Sequence, residues 1–285
     1  MTTLVQNDEF LKYCDFIDDL FIRGKINLPV LPEVAGKIVA LANSDNVHYN
    51  EMVALLHKDS VVAGHVLKVA NSPAYGSSQN ITSLKDASQR LGTKLLSEIT
   101  LSVSLKSNVF LAKGFKKIMQ EVWDHSITSA LWAKNIAKLL NLNKETSYVS
   151  GLMHSIGMAM VLQSIAFIDS KNNMDCDIEL ANHLMARYHT AFTKFAIRSW
   201  DLPEVIKVAA SEYSTYKDLI DFDREAGVVF LADKLANWTF DSDNFKFEEI
   251  IEDSVVKYLS LSETKLLELK SKKDDIKSMV SSIKF

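Results

Sequence analysis

Residues 151–157 read Gly151-Leu152-Met153-His154-Ser155-Ile156-Gly157. A histidine and a hydroxyl thus sit between two apolar runs, 145–154 before them and 157–168 after them. Both runs return apolar residues at spacings of three and four, the signature of a buried helix face. Outward from this point the same period recurs almost everywhere, and the alternation expected of strands is hard to find. Only 4 prolines and 9 glycines interrupt 285 residues, so the chain reads as all-α.

Towards the N-terminus, Phe10, Tyr13, Cys14, Ile17, Leu20 and Phe21 form one helical stripe that Gly24 ends. Leu28-Pro29-Val30-Leu31-Pro32 is extended, because a residue before proline is pushed out of the α region. A helix face follows at Val34, Ile38 and Leu41, and Asn50 and Asp59 are placed to cap the next two helices. Asn71-Ser72-Pro73-Ala74-Tyr75-Gly76 breaks the second of these into a polar loop. Ser83 and Asp86 make a capping box for a helix that Gly92 closes, and Thr93 opens an apolar helix to about Leu111. Gly114 marks a boundary. Beyond it, helices are expected over 115–140 with a break near Asp124, over 145–154 and over 157–168. A looser segment spans 169–177, Pro203 opens a later helix, and another covers 224–238. Residues 262–283 are amphipathic with mixed charges and read as a solvated helix.

Composition narrows the function. With 47% hydrophobic and 24% charged residues the chain is globular. A net charge of -4 and a pI near 6.0 argue against a nucleic-acid partner, and Lys113, Lys116 and Lys117 read as a solvated helix face. Cys14 and Cys176 lie far apart and read as buried thiols in a reducing compartment. Residues 1–9 lack the apolar centre of a signal peptide, and the run 156–168, interrupted by Gln163, is short for a membrane span. A cytoplasmic location and no membrane partner are therefore expected. No phosphate-binding glycine loop, nucleophile elbow or HExxH zinc motif is present. Of seven histidines, His48, His57, His65 and His183 stand alone. Trp123, Trp132, Trp200 and Trp238 fall at helical spacings and read as core.

His125, His154 and His189 have recognisable surroundings. The 151–157 turn resembles the GLLHDIG turn of the HD phosphohydrolase superfamily. Trp123-Asp124-His125-Ser126, with Ala130, Ala133 and Ala137, resembles the helix of that superfamily's first histidine. His189 with Trp200-Asp201-Leu202-Pro203 resembles a later helix pair, and Phe230 to Ala236, around Asp233, resembles the helix of the last aspartate. The N-terminal half is similar to the HDOD domain. The similarity lies in Leu28-Pro29 and Leu31-Pro32, Asp59, Val66-Leu67, Ala70-Asn71-Ser72, Tyr75, Ile81 to Leu84, Ala87 and Leu91-Gly92.

This resemblance implies two packed helical subdomains, an N-terminal one over 1–112 and an HD-like bundle over 113–260, followed by a helical tail over 261–285. It implies that His125, His154, His189 and Asp233 converge in one cleft. Active superfamily members hold divalent metal there, which activates water and neutralises phosphate. Here the carboxylate of the His-Asp pair is replaced by Ser155, and the paired histidines of many relatives fall near Ala210-Ser211. Glu212 is placed to compensate only if it points inward. No catalytic residue and no cofactor are therefore expected, the alternative being a divalent metal at low occupancy in an atypical phosphohydrolase. Asn71, Ser72, Tyr75, Ser155 and Glu212 are candidates for binding a ligand or partner. The plainer reading of Asn71 and Ser72 is that they terminate a helix, with Tyr75 packed on the core. The expected function is a non-catalytic bacterial signalling module whose partners are other signalling proteins or a nucleotide.

Overall fold

The computed structural model describes residues 2–29, 31, 33, 35–37, 56, 60–75, 81–200 and 202–283, and among these no strand occurs. The expected face Val34/Ile38/Leu41, the caps Asn50 and Asp59, and His48, His57, Pro32, Gly76 and Asp201 lie outside the described residues. The N-terminal stripe forms α1 (Thr2–Ile22), with Tyr13, Cys14 and Ile17 buried. It stops at Gly24, whose φ of 61° suits a residue without Cβ. The amides of Gly24 and Lys25 turn back onto the carbonyls of Phe21 and Leu20.

α2 (Ser60–Ala70) runs into a 3-10 turn at Pro73–Tyr75, and α3 (Leu84–Asn108) follows. Ser83 caps α3 by accepting from the Asp86 amide at 3.0 Å. Gly92 interrupts α3 with φ 73° and ψ 160°, so the two expected helices form one bent element that ends at Asn108.

α4 (Lys116–Leu140) runs unbroken through Asp124, where a break was expected. The Asp124 side chain accepts from Gln120 one turn earlier, which keeps it on the helix face. α5 (Lys144–Met153), capped by Asn143, and α6 (Ile156–Asn172) flank the His154-Ser155 turn. α6 continues past 169 instead of loosening there. Asp169 is engaged from both sides, by the Tyr13 hydroxyl and the Cys176 amide. α7 (Ile178–Ser199), capped by Asp177, α8 (Glu204–Ser211) and α9 (Asp223–Phe240) complete the bundle.

α4 lies at the centre, packed against α5 and α9, while α6 packs along α7. Two glycines set these spacings. A Cβ on Gly151 would sit 2.9 Å from Ala133 Cβ, and one on Gly157 would sit 2.0 Å from the His189 carbonyl oxygen. α2 packs on α3, whereas α1 docks on α6 and α7. The four tryptophans are buried, as are both cysteines, which are free thiols.

The C-terminal segment differs from the single solvated helix expected. After two one-turn helices, α10 (Phe247–Ile251) and α11 (Ser254–Tyr258), it forms α12 (Glu263–Ser271) and α13 (Lys273–Ile283). Leu269, Ile276, Val280 and Ile283 are buried, and α13 packs on both α4 and the Pro73–Tyr75 turn. By length and composition the run Lys144–Asn172 could cross a membrane, which the shorter 156–168 run did not indicate. In the bundle 78% of its apolar window is buried, the setting of a core helix.

Candidate metal centre

His125, in the third turn of α4, His154, closing α5, and Asp233, midway along α9, meet where these helices pack. Asp233 Oδ1 lies 2.9 Å from His125 Nε2 and 3.3 Å from His154 Nε2, and the two Nε2 atoms are 3.3 Å apart. His154 is fully buried. His125 and Asp233 keep 18% and 25% of their side chains exposed, so solvent reaches the cluster from their side.

His154 Nδ1 lies 2.7 Å from the Gly151 carbonyl, which can only accept. The proton of a neutral ring therefore sits on Nδ1, and Nε2 presents a lone pair to the cluster. That lone pair and an acceptor oxygen of Asp233 face each other, an arrangement that needs a proton or a cation between them. Burial pushes the Asp233 carboxyl up, but the imidazoles of His125 and His154 beside it outweigh that and hold the group well below the usual carboxylate range, as a bridging proton or cation on the His154 side would.

The donor set fits a divalent metal. Metal–ligand bonds of about 2.0–2.2 Å place neighbouring ligands roughly 2.8–3.6 Å apart in octahedral or tetrahedral sites. The three observed separations fall inside that range. A carbonyl holding the remote nitrogen of a ligating histidine is also the usual outer support of such sites.

Other candidates lie elsewhere. His189 is not part of the cluster: its Nδ1 lies 3.1 Å from Met185 O and its Nε2 3.2 Å from Thr190 Oγ1. Ser155 is fully buried and pairs with Ser126, whose own proton goes to Val122 O, so Ser155 donates. Glu212 points to α7, 2.6 Å from Lys194 Nζ and 3.8 Å from Arg198. It does not replace the missing ligands. Asn71 is a staple: Nδ2 donates to Leu67 O and Ile81 O, and Oδ1 accepts from the Ile81 amide. Ser72 Oγ is buried with no partner among the described residues. Tyr75 is partly buried, and burial followed by the nearby Glu98 pushes its hydroxyl up to about 12.

Two residues absent from the sequence reading shape the site. Thr193 Oγ1 donates to His154 O and accepts from the Gly157 amide, tying the turn to α7. Tyr213 stands edge-on to the His154 ring at 5.2 Å. Neither belongs to a local motif.

An all-helical bundle whose helix-joining turn brings His154 against His125 and Asp233 belongs to the HD-type class. More narrowly, residues 28–215 match the HDOD domain model, and the chain belongs to that family. An HDOD domain protein of unknown function from Geobacter sulfurreducens superposes with a TM-score of 0.72 at 21% identity, covering 93% of this chain and 96% of its own. A structure from Shewanella amazonensis SB2B, provisionally named a metal-dependent phosphohydrolase, gives 0.69 at 19% identity and covers 98% and 99%. At these identities the likeness shows the fold. An uncharacterized Treponema pallidum protein is 21% identical over 189 residues, and this chain spans 36% of its length.

Proposed function

We propose that the protein is a non-catalytic regulatory module of bacterial signal transduction, cytoplasmic, which acts by binding other signalling proteins. The observation that carries this reading is Ser155. A hydroxyl that spends its proton on Ser126 supplies no charge to a cation, whereas the superfamily pattern has a carboxylate at this point. Ala210 and Ser211 offer nothing in place of the paired histidines, and Glu212 is held by Lys194. The Tyr213 edge further covers the His154 ring.

A second reading is favoured by the 2.9–3.3 Å triangle itself: a phosphohydrolase with a reduced ligand set. A divalent ion, when bound, would supply charge neutralisation for a phosphate. His125, His154 and Asp233 would hold it, and Tyr213 would narrow the approach.

Metal analysis after purification without chelators, with a phosphodiester assay on bis(p-nitrophenyl) phosphate, separates the two. The expected result is less than one metal per chain and no turnover. Steady turnover that disappears in His154→Ala, with the helical circular dichroism intact, would overturn the proposal.

A further inference from the structure

A cavity of about 620 Å³ opens between the N-terminal helices and the bundle. α2 supplies His65, the end of α3 supplies Lys106, the turn after it supplies Phe110, Leu111 and Lys113, and the start of α4 supplies Lys116, Met119 and Trp123. This volume is in the ordinary range for a small-molecule site. Three lysines share the wall, and no carboxylate lines it among the described residues. Lys113 and Lys116, placed by composition on a solvated helix face, therefore share one concave surface. Lys117 is not on it.

The site is held in place from several directions. Lys106 Nζ donates to Gln120 Oε1 at 3.1 Å and lies 5.5 Å from the centroid of the Trp123 ring. Trp123 is edge-packed against Phe110 at 5.1 Å, and its indole N–H is buried without a partner among the described residues. Gln163, on α6, donates to both Val109 O and Leu111 O and so fixes the turn that carries Lys113. Gly114, at φ 87°, completes that turn. The first turn of α4 lies on the same wall, and its cap residue Phe115 offers no side-chain acceptor to the free amides, which adds partial positive charge. Burial, then Lys68 and Lys106, push the His65 imidazole below its ordinary value, as expected where positive charge is concentrated.

We propose that this seam binds a small organic phosphate, with its anionic head on Lys106, Lys113 and Lys116 and its apolar body against Leu111, which lines the cavity and is 63% exposed, while Phe110, Met119 and Trp123 are buried beneath and hold the wall in shape. A cation cluster alone would serve any anion. The exposed Leu111 side chain favours one that carries an apolar body, and the turn that Gln163 fixes lowers the entropic cost of ordering it. Because α2, α3 and α4 all contribute, an occupant would join the two helical halves. The site does not involve the His125–His154–Asp233 cluster, so its fate is independent of the reading given above.

Calorimetry with AMP, adenosine and inorganic phosphate tests it. AMP is expected to bind tighter than either fragment. Losing a charge-assisted contact in Lys113→Gln or Lys116→Gln should weaken AMP about tenfold. Both lysines are exposed, so the fold should survive. His154→Ala should bind AMP as wild type does. Equal binding of adenosine, indifference to both lysine variants, loss of binding in His154→Ala, or capture of phosphatidylglycerol vesicles in place of AMP would each overturn the proposal.

Discussion

A methyl group at position 157 would meet the His189 carbonyl oxygen at 2.0 Å and Thr193 Oγ1 at 2.5 Å, so α7 would have to move away from the turn. Gly157→Ala should therefore lose at least the ~1–3 kcal/mol typical of overpacking, read from urea unfolding. Gly64→Ala, with open space around it inside α2, should be neutral or gain up to about 1 kcal/mol. Glu98 carries a prediction with a definite pH sign. Burial holds its carboxyl above the ordinary range, even against Lys134 at 2.7 Å, and its second oxygen has no partner among the described residues. A carboxyl raised in the folded state supports folding when protonated and opposes it when charged, so its cost grows as pH climbs above about 4.3. Glu98→Gln should thus raise the melting temperature at pH 7 and leave it nearly unchanged at pH 4. An unchanged difference across that range would refute the assignment. Ser155→Asp, in turn, should melt lower without metal and recover with manganese, because a buried carboxylate without a cation is costly. The site was legible where chemistry follows local sequence: His125, His154 and Asp233 each stand in their own helical motif. His189 was misplaced because its ring bonds back to Met185 O within its own helix, which no spacing reveals. Thr193 and Tyr213 were missed because their roles exist only once α7 and the 3-10 helix Tyr213–Asp218, which follows α8, have packed against the His154-Ser155 turn.

Helix boundaries divide along the same line. Ser83, Asn143 and Asp177 each cap a helix through a side-chain oxygen, and that signal is written in three or four residues. The continuity of α4 at Asp124 and of α6 beyond Asp169 depends on partners elsewhere: Gln120 one turn away in the first case, Tyr13 on α1 in the second. The α12–α13 pair makes the point most sharply. Its mixed charges describe the outer face, while Leu269, Ile276, Val280 and Ile283 mark an inner face whose cover the sequence does not identify. If that face is packed as described, Ile276→Ala should cost about 2–5 kcal/mol in chemical unfolding. A solvated helix would lose almost nothing, so a cost below half a kilocalorie would contradict the packing of α13 on α4.

Across the whole molecule, buried apolar residues form one continuous cluster from Tyr13 to Ile283, with members in every described helix longer than one turn. Calorimetry should accordingly give one unfolding transition, and two resolved transitions would mean that the halves separate before they melt. The cluster is closed by an unusually distant pair. The Tyr13 hydroxyl donates to Asp169, 156 residues away, and Tyr188 reaches back to Asp18 at 3.0 Å. During translation at about 5–20 residues per second, the ribosome needs roughly 8 to 30 seconds to travel from Tyr13 to Asp169. For that interval α1 exists with its docking groove on α6 and α7 still unmade. Tyr13, Cys14 and Ile17 must remain in water, or in the care of a chaperone, until the groove emerges.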